Sequence, residues 1–189
     1  MKGVVFTTFN KMIEEKFGMD VWDELIEKTQ PESGGVYTSS DTYPDEELYA
    51  YIGELSKMTG AEVPDLIRTF GGYKMQQLHA AYPDFFKDKS IKEFLKSVHG
   101  YIHVEVKKLY PKALLPDFEY EDPAPDELIM IYRSERKLCV LAEGLIGGAS
   151  EVFKTAIDIN HAKCMHRGDD HCRLELKIGA PNGNTGTIN

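Results

Sequence analysis

Two histidines one helical turn apart offer the first chemistry in this sequence. His99 and His103 lie at the edge of an apolar stripe that runs through residues 90–109 with helical spacing. A neutral imidazole that faces an apolar cavity is what the proximal position of a haem iron requires. The periodicity by itself is more typical of two half-buried or solvated helix residues, and His99 lies nearer the centre of the stripe. The spacing therefore suggests a ligand without choosing between the two histidines.

A second group combines one imidazole with all three cysteines of the chain. Its members are Cys139, His161, Cys164 and Cys172. Three thiolates and an imidazole match a closed tetrahedral zinc site, although the H-x2-C-x7-C spacing is not that of a standard zinc finger. His166 and His171 are competing nitrogens nearby. Three reduced thiols without metal, or a thiol-oxidation sensor, remain alternatives.

The segment from Tyr132 to Arg136 places two hydroxyls and a guanidinium at a predicted strand-to-helix corner. Residues two apart on a strand share a face, so Tyr132 and Ser134 can point into the same pocket. Arg136, at the start of the helix, can clamp a carboxylate in bidentate fashion. The propionates of a haem need such partners in an apolar site, whereas the motif alone also fits an ordinary corner with a surface arginine.

Composition limits the classes of protein to which the chain can belong. Its 189 residues, 42% of them hydrophobic, fit one globular domain or two closely packed subdomains. The formal charge of -9 argues against a nucleic-acid surface, which needs clustered Lys and Arg. No apolar run approaches the ~20 residues of a membrane span, and the first residues do not form a secretory signal. An odd number of cysteines favours thiols or metal ligands, so we expect a cytoplasmic protein.

The elements that must position these groups divide the chain into a helical half and a mixed half. Periodicity predicts helices at 5–17, 21–26, 44–60, 64–78 and, most clearly, 90–109. Gly71 and Gly72 should loosen the fourth of these helices. Strands are predicted at 115–122, 127–134, 155–161 and 172–178, with a helix at 137–154. This is an α+β fold with a flexible tail at 179–189.

The run from Ile102 to Pro111, IHVEVKKLYP, resembles the proximal-helix motif of the H-NOX family of haem-nitric oxide/oxygen-binding domains. These domains are related to the sensor of soluble guanylate cyclase. Residues 132–136 match the Y-x-S-x-R signature of the family, and the resemblance covers residues 1–178. It implies a stand-alone bacterial H-NOX domain that binds haem b, with His103 rather than His99 as the axial ligand. A helical subdomain at about 1–63 would pack on an α+β subdomain at 64–178, which has a long proximal helix and a four-stranded antiparallel sheet, with the haem between them.

The resemblance also assigns residues around the haem. Pro116 falls where a proline presses on the haem of the family and distorts it, and Val5 is expected in the pocket wall. Leu141 occupies the position of the distal tyrosine of oxygen-binding members, so its apolar side chain implies selectivity for nitric oxide. Lys74 replaces a bulky aromatic residue on the distal side, and we expect it to snorkel outward.

The function that this resemblance implies is gas sensing without catalysis. Nitric oxide would bind the ferrous haem opposite His103 and break the iron–histidine bond, and the helix of His103 would then shift. Carbon monoxide is a second expected ligand. A histidine kinase or a diguanylate cyclase/phosphodiesterase is expected to read the change. The resemblance further implies zinc at the Cys/His group, as in a bacterial subset of the family.

Two other functions compete with this interpretation. Residues 144–172 also resemble the haem-free V4R small-molecule-binding domains, although such a domain would not need the motifs at 102–105 and 132–136. A haem peroxidase would need distal His or Arg side chains for acid–base catalysis. The helix after Arg136 offers Leu138, Val140, Leu141, Ala142 and Leu145 instead.

Overall fold

Four helices form the amino-terminal half of the computed structural model, which describes residues 1–111 and 113–181. They are α1 Gly3–Phe17, α2 Met19–Thr29, α3 Asp45–Thr59 and α4 Val63–Ala81. Gly18, with a φ of 101°, turns the chain between α1 and α2, and Gly60, with a φ of 74°, ends α3. These four helices confirm the predicted pattern.

The glycine pair in α4 does not loosen the helix, contrary to our expectation. Gly71 faces α7 (Cys139–Phe153), and a Cβ at Gly71 would lie 2.7 Å from the carbonyl oxygen of Leu141. A Cβ at Gly144 would lie only 2.3 Å from the carbonyl oxygen of Arg68. The glycines therefore allow the two helix backbones to touch, and this packing outweighs the poor helix propensity of glycine.

The helix predicted at 90–109 forms over residues 91–109, but it contains a π-helical turn before His103 that the periodicity did not predict. Helix α5 (Ile91–Ser97) begins with a Ser90–Glu93 capping box, and a π-helical turn then spans Val98–Ile102. Helix α6 (His103–Leu109) follows directly. The backbone N–H of His103 donates to the carbonyl of Val98, five residues back, so this turn contains an extra residue and rotates the following face.

A four-stranded antiparallel sheet completes the mixed α+β fold, as predicted. Its strands are β1 Asp117–Ala124, β2 Glu127–Arg133, β3 Thr155–Lys163 and β4 Cys172–Pro181, in the order β1-β2-β4-β3. Strand β4 continues to Pro181, three residues into the segment expected to be a flexible tail. Residues 182–189 of that expected tail lie outside the described residues.

Two hydrophobic cores lie on either side of α4, and this helix contributes to both. Phe70 and Tyr73 pack with Phe6, Phe9 and other residues of α1 to α3. Met75 packs instead with residues of α5, α7 and the sheet. Within 1–111 and 113–181, no helix is both long and apolar enough to cross a membrane.

Candidate functional site

His103 is the first residue of α6, and its imidazole points into the protein. Its Nδ1 atom is buried, and none of the described groups hydrogen-bonds to it. Burial, assisted by the charges of His99 and Lys107, lowers the pKa of His103 to about 4. The imidazole is therefore neutral at physiological pH, which is the form that ligates a metal.

His99 lies at the surface, although the apolar stripe had placed it nearer the core. Its side chain is 46% exposed, and its Nε2 lies 3.6 Å from a carboxylate oxygen of Asp117. Ile102 is only 6% exposed, whereas Leu109, at the far end of the stripe, is 67% exposed. The extra residue of the π-helical turn explains this difference, because a constant helical period does not continue across it.

Phe118 connects His103 to Tyr132. The centroid of the Phe118 ring lies 5.9 Å from that of His103 and 5.4 Å from that of Tyr132, which it meets edge-on. Burial raises the pKa of Tyr132 to about 12, although hydrogen bonds with the Ser134 side chain and the Leu138 backbone act in the opposite direction. Tyr132 therefore remains a protonated hydrogen-bond donor. Phe118 was not among the predicted site residues, although it follows Pro116 by two positions.

Arg136 joins the helical half to the mixed half. Its Nε and Nη2 atoms donate to the carboxylate of Asp45 on α3, and its Nη1 donates to the carbonyl of Leu114 at 2.8 Å. Burial disfavours the charged form of Asp45, but the hydrogen bonds from Arg136 and from the amino group of Met1 lower its pKa overall. A guanidinium has five N–H donors, so Arg136 keeps donors for a further anion.

The remaining predicted pocket residues come from four separate parts of the chain. Val5 in α1 and Leu141 in α7 are partly buried and pack against the amino-terminal core. Ser134 accepts a hydrogen bond from the backbone N–H of Arg136 at 3.3 Å, which fixes the corner after β2. Pro116 directly precedes β1 and is also partly buried.

Lys74 is a charged residue on an otherwise apolar face of α4. It lies between Phe70 and Leu78, both packed in the cores, four residues away on either side. Its amine has no hydrogen-bond or ion-pair partner among the described residues, and burial lowers its pKa to about 8. The side chain as a whole is partly buried, and its outward snorkelling stays a prediction.

The Cys/His group forms a compact cluster at the start of α7. The ligand atoms of Cys139, His161, Cys164 and Cys172 all lie within 4.8 Å of one another. The Sγ atoms of Cys139 and Cys164 are 3.8 Å apart, which is about the separation that two thiolates take around tetrahedral zinc. Burial, together with the neighbouring thiols, raises the pKa of the Cys139 thiol.

The two competing histidines lie outside this cluster. His166 Nε2 is 2.7 Å from the carbonyl oxygen of Lys137, and His171 Nδ1 is 2.7 Å from a carboxylate oxygen of Asp170. All three cysteines are buried and free. Burial raises the pKa of the Cys139 and Cys172 thiols, so both are protonated in the absence of a metal ion, and a bound cation would compensate the charge of their thiolates.

A neutral histidine beside the buried ring of Phe118, in a helical half joined to an α+β half, fits the class of domains that bind a metal-containing cofactor. Comparison with known proteins defines this class further. The family model described as Haem-NO-binding matches residues 2–161. The chain therefore belongs to the haem-NO-binding, or H-NOX, family, and the haem-free V4R alternative is not favoured. Domains of this family are sensor domains.

Solved structures of bacterial H-NOX proteins resemble this fold closely. The S. oneidensis H-NOX protein in the Fe(II)NO state is 32% identical, with a TM-score of 0.88, and the match covers 95% of this chain and 100% of that one. The unliganded Fe(II) H-NOX protein of K. algicida is 33% identical, with a TM-score of 0.86 and full coverage of both chains.

The curated relatives include much longer proteins. Soluble guanylate cyclase 89Db of Drosophila melanogaster is 25% identical over 161 residues, which are 82% of this chain but 23% of the cyclase. The chain thus spans about a quarter of the length of this relative. What the two proteins share is the H-NOX domain.

Proposed function

We propose that this chain binds haem b through His103 and senses nitric oxide. The observation that carries the proposal is the buried ring nitrogen of a neutral imidazole, which has no described hydrogen-bond partner. A buried nitrogen without a hydrogen-bond partner destabilises the folded state unless a metal ion or another group binds it. Membership of the family supports the proposal, as do the related S. oneidensis structures in Fe(II)NO and Fe(II)CO states.

The other pocket residues would bind the haem and select its ligand. The hydroxyls of Tyr132 and Ser134 and the spare donors of Arg136 fit the two propionates. Pro116 and Val5 would contact the macrocycle. When bound, haem supplies a ferrous iron that coordinates diatomic gases, and carbon monoxide is a second expected ligand. The apolar side chain of Leu141 gives no hydrogen bond on that side, which favours nitric oxide over oxygen.

The structure also suggests how a change at His103 would reach a partner. His103 follows a π-helical turn, an element that often occurs at functional sites, and Arg136 pairs with Asp45 across the two halves. Arg136 also donates to the carbonyl of Leu114 in the segment between α6 and β1, so we expect a movement of α6 to change the contact between the halves. We expect a histidine kinase or a diguanylate cyclase/phosphodiesterase to respond, since the cyclase relatives also carry this domain.

Comparison of haem binding in two histidine variants tests the haem proposal. Purified wild-type protein should have an intense Soret band after reconstitution with hemin. His103→Ala should lose the haem unless imidazole is added, whereas His99→Ala should retain it, because His99 is exposed and removed from the core. Wild-type protein that stays colourless, or a His103→Ala spectrum identical to the wild-type spectrum, would contradict the proposal.

We further propose that Cys139, His161, Cys164 and Cys172 bind a structural zinc ion. The support for this site is the convergence of one nitrogen and three sulfur atoms within 4.8 Å. Metal analysis of protein purified without chelators should give one zinc per chain. The Cys172→Ser variant should lose most of this zinc while it keeps the Soret band. A wild-type zinc content near zero after loading would contradict the site.

A further inference from the structure

The two ring nitrogens of His161, whose side chain is 18% exposed, have different surroundings. Nδ1 lies 2.5 Å from Oε1 of Glu143, whereas Nε2 has no hydrogen-bond partner among the described groups. A carboxylate can only accept a hydrogen bond, so Nδ1 carries the proton in the neutral ring. The lone pair of His161 is then on Nε2, the nitrogen that remains available to the cysteine cluster.

Glu143 is itself held in place by the neighbouring helix. Its side chain is 10% exposed, and its second oxygen, Oε2, accepts a hydrogen bond from Nε of Arg68 at 2.8 Å. Arg68 lies on α4 and also pairs with Asp65 at 2.8 Å. The carboxylate therefore uses one oxygen for the histidine and the other for the arginine, which restricts its rotation.

The backbone contact between α4 and α7 fixes the distance that this ion pair must span. Gly144, the residue after Glu143, lies so close to Arg68 that a Cβ would be 2.8 Å from the Arg68 Cα. The Glu143 and Arg68 side chains thus extend from two backbones in direct contact. Little freedom is left for the carboxylate to turn away from His161.

We propose that Glu143 is a positioning residue for the metal site, which fixes the Nδ1-protonated tautomer of His161 and directs Nε2 at the metal. Arg68 holds Glu143 in this orientation and so connects the metal site to α4. This inference rests on the proposed zinc site. Metal-bound histidines commonly donate their second ring N–H to a carboxylate, and the loss of that carboxylate weakens metal binding.

Zinc competition against a chromophoric chelator, with the full chain, measures the effect. Glu143→Ala should weaken zinc binding about 10- to 100-fold. Glu143→Gln should weaken binding less, because the amide oxygen still accepts the hydrogen bond from Nδ1. Glu151→Gln is the matched control: this residue is on the same helix, but its carboxylate contacts Gln76, so its zinc affinity should equal that of the wild type.

The absorption spectrum of the cobalt-loaded protein separates positioning from a general loss of structure. Tetrahedral cobalt bound by three thiolates and one imidazole should give the same bands in the wild type and in Glu151→Gln. In Glu143→Ala the bands should shift or broaden, because the imidazole is no longer oriented. Urea unfolding of the metal-free proteins shows whether the variants keep the wild-type stability.

The possible results distinguish this inference from the zinc site itself. Wild-type protein that binds neither zinc nor cobalt would overturn both. Wild-type protein that binds zinc tightly, with Glu143→Ala equal to it in affinity and in cobalt spectrum, would overturn only the role of Glu143. Equal losses in Glu143→Gln and Glu143→Ala, together with equal destabilisation of their metal-free forms, would also overturn it.

Discussion

Replacement of Gly144 by alanine tests the direct contact between α4 and α7. The added Cβ would lie 2.3 Å from the carbonyl oxygen and 2.8 Å from the Cα of Arg68. Both atoms belong to the backbone of a regular helix, so neither can move aside as a flexible side chain would. The helices would have to separate, and both hydrophobic cores include residues of α4.

The size of the effect follows from two opposing contributions. Overpacking of this kind costs about 1–3 kcal/mol of folding free energy. Alanine has a better helix propensity than glycine by up to ~1 kcal/mol, which offsets only part of the cost. Gly147, one turn away on the same helix, supplies the control, because a Cβ there meets nothing within 4 Å. Gly147→Ala should therefore be neutral or stabilising by up to ~1 kcal/mol.

Urea unfolding followed by far-UV circular dichroism gives the two free energies. All samples must carry the same haem and metal content, because bound ligands add to the apparent stability. Gly144→Ala should unfold at lower urea and Gly147→Ala at equal or higher urea, with similar slopes. If Gly144→Ala is as stable as Gly147→Ala, the close packing of α4 on α7 is refuted. The fixed distance between Glu143 and Arg68 would then lose its basis.

Three further predictions concern single side chains. The free energy of unfolding of the wild type, relative to that of Lys74→Met, should rise between pH 8 and about pH 10.5, because in this range Lys74 is protonated in the unfolded chain but not in the folded one. Urea unfolding at several pH values measures this difference. A difference that does not change with pH would contradict the burial of the amine. Leu141→Tyr should raise the oxygen affinity of the ferrous protein in a spectral titration while Leu141→Phe does not, and a stable oxygen complex of the wild type would argue against nitric-oxide selectivity. Asp45→Asn should lower the free energy of unfolding by about 1–3 kcal/mol at pH 7. Because the pKa of Asp45 is lowered in the folded state, this difference from the wild type should disappear as the pH falls below 3.8. Equal unfolding midpoints of the two proteins at pH 7 would refute the prediction.

The sequence was sufficient to predict the helices and the four strands, because their periodicity and turn residues are local signals. It was not sufficient at the helix of His103. The prediction from the apolar stripe used one constant helical period. The π-helical turn adds a residue to that period, and the residue types at 98–102 did not indicate such a turn. For that reason His99, not His103, had the better position on the stripe. Only the resemblance of the motif to the family selected His103.

Long-range contacts account for the rest of what the sequence did not reveal. Asp45 is one of three acidic residues in the first turn of α3, yet its carboxylate pairs with Arg136, 91 positions later. Gly71 was judged by its propensity, a property of one helix, although its role depends on a second helix. Glu143 belongs to no motif, and only the fold brings its carboxylate to His161.

The π-helical turn determines which side of the molecule α6 presents to the core. If the turn relaxed to regular α-helix at unchanged length, α6 would rotate by about 100° about its axis, and the imidazole of His103 would face a different side of the molecule. Deletion of one of the exposed residues His99, Gly100 and Tyr101 would remove the extra residue together with the turn, so α6 would keep its orientation. A segment that is one residue shorter and regularly helical would therefore point the same imidazole at the same place.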